Sequence, residues 1–138
     1  MTTDTKAFQR TLGRSNLQVS AMGLGCWAIG GTWYWLDGQG GWGDIDDEES
    51  IRAIHCGLDH GINFFDTAAN YGTGHSERIL ARALAGKRDQ VVIATKFGFN
   101  VNEAEKRVTI REDDHLQHVR AECEASLRRL NTDTIDVY

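Results

Sequence analysis

The chain has 138 residues, 41% of them hydrophobic and 25% charged, with 15 Gly, no Pro, 3 Cys and a formal net charge of -5. A chain of this length buries roughly two-thirds of its unfolded surface, so one domain with its own core is possible without disulfides or metals, and scattered Lys and Arg on an acidic chain argue against nucleic acid as a partner. Apolar runs stop well short of the roughly 18 to 20 residues of a membrane span, and no basic start leads into an apolar stretch, so neither a membrane anchor nor a secretion signal is expected.

The expected compartment is the cytoplasm. Cys26, Cys56 and Cys123 are odd in number and widely spaced, which fits reduced thiols and no metal site. Residues 1–7 read as a loose polar tail on a single domain spanning 1–138. Phe8 to Leu12 and Leu17 to Ser20 alternate apolar with polar around the turn residues Gly13-Arg14-Ser15-Asn16, a β-hairpin pattern. Ala21 to Gly25 reads as a short strand. Cys26 to Gly43 holds all four Trp and many of the Gly and reads as a long functional loop.

Asp46 to Gly61 places Ile51, Ile54 and Leu58 on one helical face, with Asp46 and Glu49 spaced as a capping box and Gly61 as the stop. Ile62 to Asp66 follows as a strand, Ser76 to Ala85 as a helix on Ile79, Leu80, Ala83 and Leu84, and Val91 to Lys96 as a β-branched strand. After a polar linker, Leu116, Val119, Cys123, Leu127 and Leu130 recur at helical spacing, with Asp114 and Gln117 as cap and partner. Thr134 to Tyr138 reads as a fourth strand.

Strands alternating with single helices are the pattern of parallel βαβ units. A doubly wound sheet and a (β/α)8 barrel share it, and a complete barrel normally takes about 250 residues. In either architecture the charged Lys96 belongs at the carboxyl rim of the sheet, where such folds keep their chemistry. Side chains alternate along strands, so Asp66 and Lys96 share one face and end adjacent strands side by side. The loop Thr67 to Gly74 can fold Tyr71 back over the same mouth.

A phenol with a reference pKa near 10 is a poor proton donor at neutral pH unless a neighbour favours its anion. An ammonium at position 96 is such a neighbour, and Asp66 would keep it charged. The competing reading is a buried Asp66–Lys96 bridge beside an ordinary loop tyrosine, and spacing does not decide between them. The glycines from Gly38 to Gly43 are not a phosphate loop, because no Lys-Ser or Lys-Thr follows and the next residues are acidic.

The run Gly61-Ile62-Asn63-Phe64-Phe65-Asp66-Thr67-Ala68-Ala69-Asn70-Tyr71-Gly72 resembles the signature segment of the aldo-keto reductases. The hairpin Arg10 to Ser20, Gly23-Leu24-Gly25-Cys26-Trp27, Gly74-His75-Ser76-Glu77, Ala94-Thr95-Lys96 and Ala125 to Leu130 resemble family segments in family order, so the likeness covers residues 8 to 138. It implies an α/β fold with an N-terminal β-hairpin plugging the barrel bottom, followed by the first half of a (β/α)8 TIM barrel with four parallel strands and three helices. It also implies a NAD(P)H-dependent oxidoreductase that reduces aldehydes or ketones, with NADPH as cofactor and a small carbonyl compound as substrate.

By that resemblance Tyr71 is the general acid, Lys96 lowers its pKa, and Asp66 anchors Lys96 and touches the nicotinamide ribose. Gly25, Cys26 and Trp27 would supply further cofactor contacts, although Cys26 stands where similar sequences often have Thr. The family's carbonyl-orienting His falls beyond Tyr138, and His55, His60, His75, His115 and His118 belong on or beside helices. Trp27, Trp33, Tyr34, Trp35 and Trp42 are candidates for aromatic walls at the mouth, two or three of them packed beneath the loop. Two other classes compete: a half-barrel assembly module that self-associates through open sheet edges, and a lyase using Lys96 as a Schiff-base nucleophile.

Overall fold

The computed structural model describes residues 9–35, 38–111 and 116–138. The expected tail, Phe8 of the hairpin, and Asp114 and His115 ahead of the last helix lie outside the described residues. The hairpin is present as β1 (Gln9–Thr11) and β2 (Gln18–Ser20), antiparallel with Arg10 opposite Val19. It docks through Asn63, whose side-chain oxygen accepts the Ser20 N–H at 2.6 Å and whose amide donates to the Gln18 carbonyl at 3.0 Å. Asn63 directly precedes the strand Phe64–Asp66, so the hairpin sits at the end where that strand begins.

Three parallel strands form the central sheet. β3 (Leu24–Gly25), β6 (Phe64–Asp66) and β7 (Val92–Ala94) lie in the order β3-β6-β7, with Leu24 opposite Phe65 and Phe65 opposite Ile93. Phe65 and Ile93 therefore point to the same side, where they meet Ile54, Ile79, Leu80, Ala83, Leu84 and Leu130 in the core. Apart from Leu84, which caps the end of α2, these are the apolar stripes of α1 (Asp47–Asp59), α2 (His75–Ala83) and α3 (Leu116–Leu130).

α1 begins on Asp46, whose carboxylate accepts the Glu48 and Glu49 N–H groups, and ends before Gly61 at φ 84°. Only half of the expected capping box forms, because Glu49 pairs forward with Arg52 one turn along the helix. On α3, Leu116 is 78% exposed and the face toward the core is partly polar: Ser126 is fully buried, and Glu122 and Arg129 are nearly so. Apolar spacing located this helix but not the chemistry of its inner face.

Thr134 to Tyr138 contributes one parallel bridge between Ala94 and Val137 instead of a full strand. The reason is local. Asp136 takes the Ile93 N–H on its side chain at 2.8 Å and pairs with Arg88 at 2.6 Å, so side-chain bonds replace part of the backbone ladder.

The largest departure from expectation lies above the carboxyl ends of the strands. β4 (Trp33–Trp35) and β5 (Gly38–Gly40), inside the segment read as a loop, join β8 (Phe99–Asn102) and β9 (Arg107–Ile110), inside the segment read as a polar linker. They form a second sheet in the order β5-β4-β9-β8, closed in the middle by a parallel contact of Tyr34 with Arg107. Among the described residues no helix is long and apolar enough to cross a membrane.

Candidate active site

Asp66 is the last residue of β6 and lies opposite Ala94, while Thr67 N–H donates to the Ala94 carbonyl at 2.9 Å. Lys96, two residues past the end of β7, rises at the same mouth. Its ammonium donates to Asp66 Oδ1 at 2.8 Å and to the Thr67 carbonyl at 2.9 Å, and stands 3.4 Å from the Tyr71 hydroxyl. The same nitrogen is 5.0 Å from the centroid of the Tyr71 ring.

This is not a buried bridge. The side chains of Lys96 and Asp66 are 44% and 43% exposed, and an ion pair so open to water contributes about 0–1 kcal/mol. Stability gives little reason for the arrangement. For Lys96, burial works against the charge, and the hydrogen bond and attraction of Asp66, followed by Tyr71, outweigh it, so its pKa is held above the ordinary lysine value.

Tyr71 stands in a 3-10 turn, Tyr71–Gly74, that its own backbone enters by donating to the Ala68 carbonyl at 3.1 Å. The turn is fixed by a contact between backbones: a Cβ at Gly72 would lie 1.8 Å from the Gly30 carbonyl oxygen, and Gly72 has φ 60°. Only glycine lets the loops after β3 and β6 approach so closely. The Tyr71 ring stacks on Trp27, centroids 6.3 Å apart at 30°.

The residues at the end of β3 and just after it divide sharply. Gly25 faces open space, with nothing within 4 Å of where a Cβ would stand, and Trp27 is half-exposed. Cys26 has no exposed surface: its N–H donates to the Asp66 carbonyl at 2.8 Å, its thiol to the Leu24 carbonyl at 3.5 Å, and its carbonyl accepts the Ser76 hydroxyl at 2.7 Å. Burial, then Asp66, push its thiol up to about 12, with Lys96 pulling the other way. Every polar group of Cys26 is engaged inside the protein, so it supports the mouth from beneath.

Of the aromatic candidates, Trp27 alone stacks on Tyr71. Trp33 is buried against Gly40, and Trp35 meets both Trp33 and Phe99 edge-on, at 5.8 and 5.4 Å, binding the two halves of the second sheet together. Tyr34 and Trp42 point outward. Phe97, next to Lys96, packs on Tyr138 at 5.1 Å. His55 bonds the Ala83 carbonyl, His60 the Cys56 carbonyl, and His75 the Asp47 carboxylate, all along α1 and α2. A cavity of about 340 Å³ behind the Tyr71 turn is lined by residues including Asp44, Thr73, His75 and Arg78, and neither Asp66 nor Lys96 reaches it.

The family model described as "Aldo/keto reductase family" matches residues 21–138. The chain belongs to the aldo/keto reductase family. Among curated relatives of this chain, aldo-keto reductase YhdN of Bacillus subtilis is 40% identical over 126 residues, which is 90% of this chain and 34% of that protein. The NADH-specific methylglyoxal reductase of Escherichia coli is 38% identical, over 92% of this chain and 39% of its own length.

The chain thus spans a little over a third of the relatives it matches. The holo form of aldo-keto reductase AKR11C1 from Bacillus halodurans superposes with a TM-score of 0.76 at 31% identity, covering 92% of this chain and 37% of that one. An aldo-keto reductase from Klebsiella pneumoniae in complex with NADPH gives 0.60 at 28% identity, covering 88% and 34%. The fold of this chain is accordingly half of an aldo-keto reductase barrel with its N-terminal hairpin.

Sequence reasoning gave no role to Thr67, Ser76, Glu77 or Thr95. No signal in the sequence marks them; what sets them apart is burial in the fold, where all four have almost no exposed surface.

Proposed function

We propose that this protein reduces an aldehyde or ketone to the alcohol, with Tyr71 as the proton donor. The observation that carries the reading is the single ammonium of Lys96 within hydrogen-bond reach of both the Asp66 carboxylate and the Tyr71 hydroxyl. Tyr71 gives its phenolic proton to the carbonyl oxygen as that oxygen gains negative charge. The ammonium stabilises the phenolate left behind, and Asp66 keeps the ammonium protonated and aimed. Solvent then returns the proton to Tyr71. General acid catalysis of this kind contributes about 10²- to 10⁴-fold.

The cofactor we propose is NADPH, as in the Klebsiella structure, and the residues of the mouth suit its nicotinamide end. Gly25 leaves room for a close approach, the half-exposed Trp27 offers a flat face, and Asp66 offers carboxylate oxygens to ribose hydroxyls. When bound, the cofactor supplies the hydride that reaches the carbonyl carbon. The cytoplasm is the compartment this chemistry implies. A Schiff-base lyase is disfavoured because Asp66 holds Lys96 in its charged, non-nucleophilic form.

A second reading has one observation in its favour. β3 ends the parallel sheet with its outer edge unpaired among the described residues, and open edges promote pairing with another chain. Copies would then assemble without catalysis. The deciding experiment adds NADPH or NADH with a small aldehyde such as methylglyoxal and follows cofactor oxidation, with light scattering on the same sample. Oxidation that depends on the aldehyde, faster with NADPH, supports the reductase. No oxidation from a stable dimer supports assembly alone.

A further inference from the structure

The buried side of the mouth carries a second polar arrangement. Glu77, in the first turn of α2, has no exposed surface, and its two oxygens have different partners: Oε1 accepts the Thr95 hydroxyl at 2.7 Å and Oε2 accepts Arg129 Nε at 2.5 Å. Its neighbour Ser76, equally buried, donates to the Cys26 carbonyl at 2.7 Å and shares a hydrogen bond with the Thr67 hydroxyl at 2.9 Å. Cys26, Thr67 and Thr95 are the first residues after β3, β6 and β7, respectively. Two adjacent side chains of one helical turn therefore grip the same position at the end of all three parallel strands.

Placing a carboxylate, a guanidinium and three hydroxyls in a core costs more than apolar packing would, unless every group is satisfied. What such bonds add is direction, since hydrophobic contact has none. That direction matters here because side chains alternate. Thr67 follows Asp66 and Thr95 precedes Lys96, so the threonines whose hydroxyls Ser76 and Glu77 hold from behind are the chain neighbours of the residues that carry the site's side chains in front. Thr67 contributes twice, its hydroxyl to Ser76 and its carbonyl to the Lys96 ammonium. Behind Glu77, Arg129 also bonds Ser126 at 3.1 Å and Glu103 at 3.3 Å, so α3 and the loop between β8 and β9 brace the clamp.

We infer that Ser76 and Glu77 are positioning residues, which from the start of α2 fix the strand ends behind Asp66 and Lys96 and so hold the ammonium between Asp66 and Tyr71. The chemical meaning of the clamp rests on the reductase reading, but its geometry can be tested without turnover.

The test follows the titration of Lys96 by NMR of its ε-carbon in the cofactor-free protein. Thr95→Val removes the hydroxyl at nearly constant volume and leaves the Glu77–Arg129 pair intact, and Ser76→Ala loosens the clamp from the β6 side. Both are expected to move the Lys96 midpoint down toward the ordinary lysine value, and Thr95→Ser to restore it. Where turnover is measured, Thr95→Val should lower kcat about tenfold or more with KM for NADPH little changed, because misplacing a reacting group by about 1 Å can cost about 10²-fold.

If both variants melt earlier yet leave the Lys96 titration at its wild-type position, the clamp is structural only and the inference is overturned. Glu77→Gln leaves Arg129 facing a neutral amide; should it fail to fold, the Thr95 pair still decides. A shifted Lys96 titration in a protein without NADPH-dependent turnover would keep the clamp and remove the reductase reading.

Discussion

The two sheets of this molecule are built on different principles. The parallel sheet β3-β6-β7 is short, and its helix-facing residues Phe65 and Ile93 are sealed by three helices and gripped at the carboxyl ends by Ser76 and Glu77. The antiparallel-rich sheet β5-β4-β9-β8 lies over that mouth. It is held by backbone pairing between segments some 70 residues apart, as in Tyr34 with Arg107, and by the aromatic chain Trp33–Trp35–Phe99. One sheet supplies a rigid base for Asp66 and Lys96, and the other a wall whose composition can change without disturbing that base. A scaffold with variable loops at the mouth is how barrel folds combine stability with changing substrates.

The comparison breaks first where the base is cut. Phe65→Ala removes a fully buried ring from the core and is expected to cost about 3–5 kcal/mol in urea denaturation. Trp35→Ala should cost less, because the indole is only partly buried and each aromatic pair adds about 0.5–1.5 kcal/mol beyond its burial. Its signature is spatial: hydrogen exchange should speed up at the amides of β8 and β9 and stay slow in β6 and β7. Equal acceleration in both sheets would mean that base and wall unfold as one unit.

Thiol chemistry sharpens the same distinction at smaller scale. Cys26, sealed beneath the mouth with its pKa pushed up to about 12, should resist alkylation in the folded protein near pH 8, while exposed Cys56 is labelled readily. Mass spectrometry after brief treatment with iodoacetamide separates the two. Labelling of Cys26 as fast as Cys56 would show that the end of β3 opens in the native state.

What was legible in the chain follows the same division. α1, α2 and α3 and the strands ending in Asp66 and near Lys96 declare themselves because each must turn a periodic apolar face to one core, and Asp46 and Gly61 mark where α1 starts and stops. Strand alternation could bring Asp66 and Lys96 to one mouth, and the length of the loop Thr67 to Gly74 could bring Tyr71 there. The second sheet left a weaker trace: β5 is Gly38-Gln39-Gly40, the alternation of β8 runs over only four residues, and the pairing that makes them strands is remote in sequence. The clamp stayed hidden for another reason. Ser76 and Glu77 look like ordinary polar residues of a helix start, and only burial distinguishes them. Cys26, adjacent in sequence to residues of the open mouth, proved to be turned beneath it.

The central claim is that Tyr71 donates the proton, with Lys96 and Asp66 preparing it. The most direct measurement compares Tyr71→Phe with the wild-type protein in NADPH-dependent reduction of a small aldehyde, with cofactor affinity followed by quenching of tryptophan emission. A loss of about 10²- to 10⁴-fold in kcat with NADPH binding retained is expected, since only the hydroxyl is removed and the ring still stacks on Trp27. Turnover unchanged in Tyr71→Phe would contradict the claim.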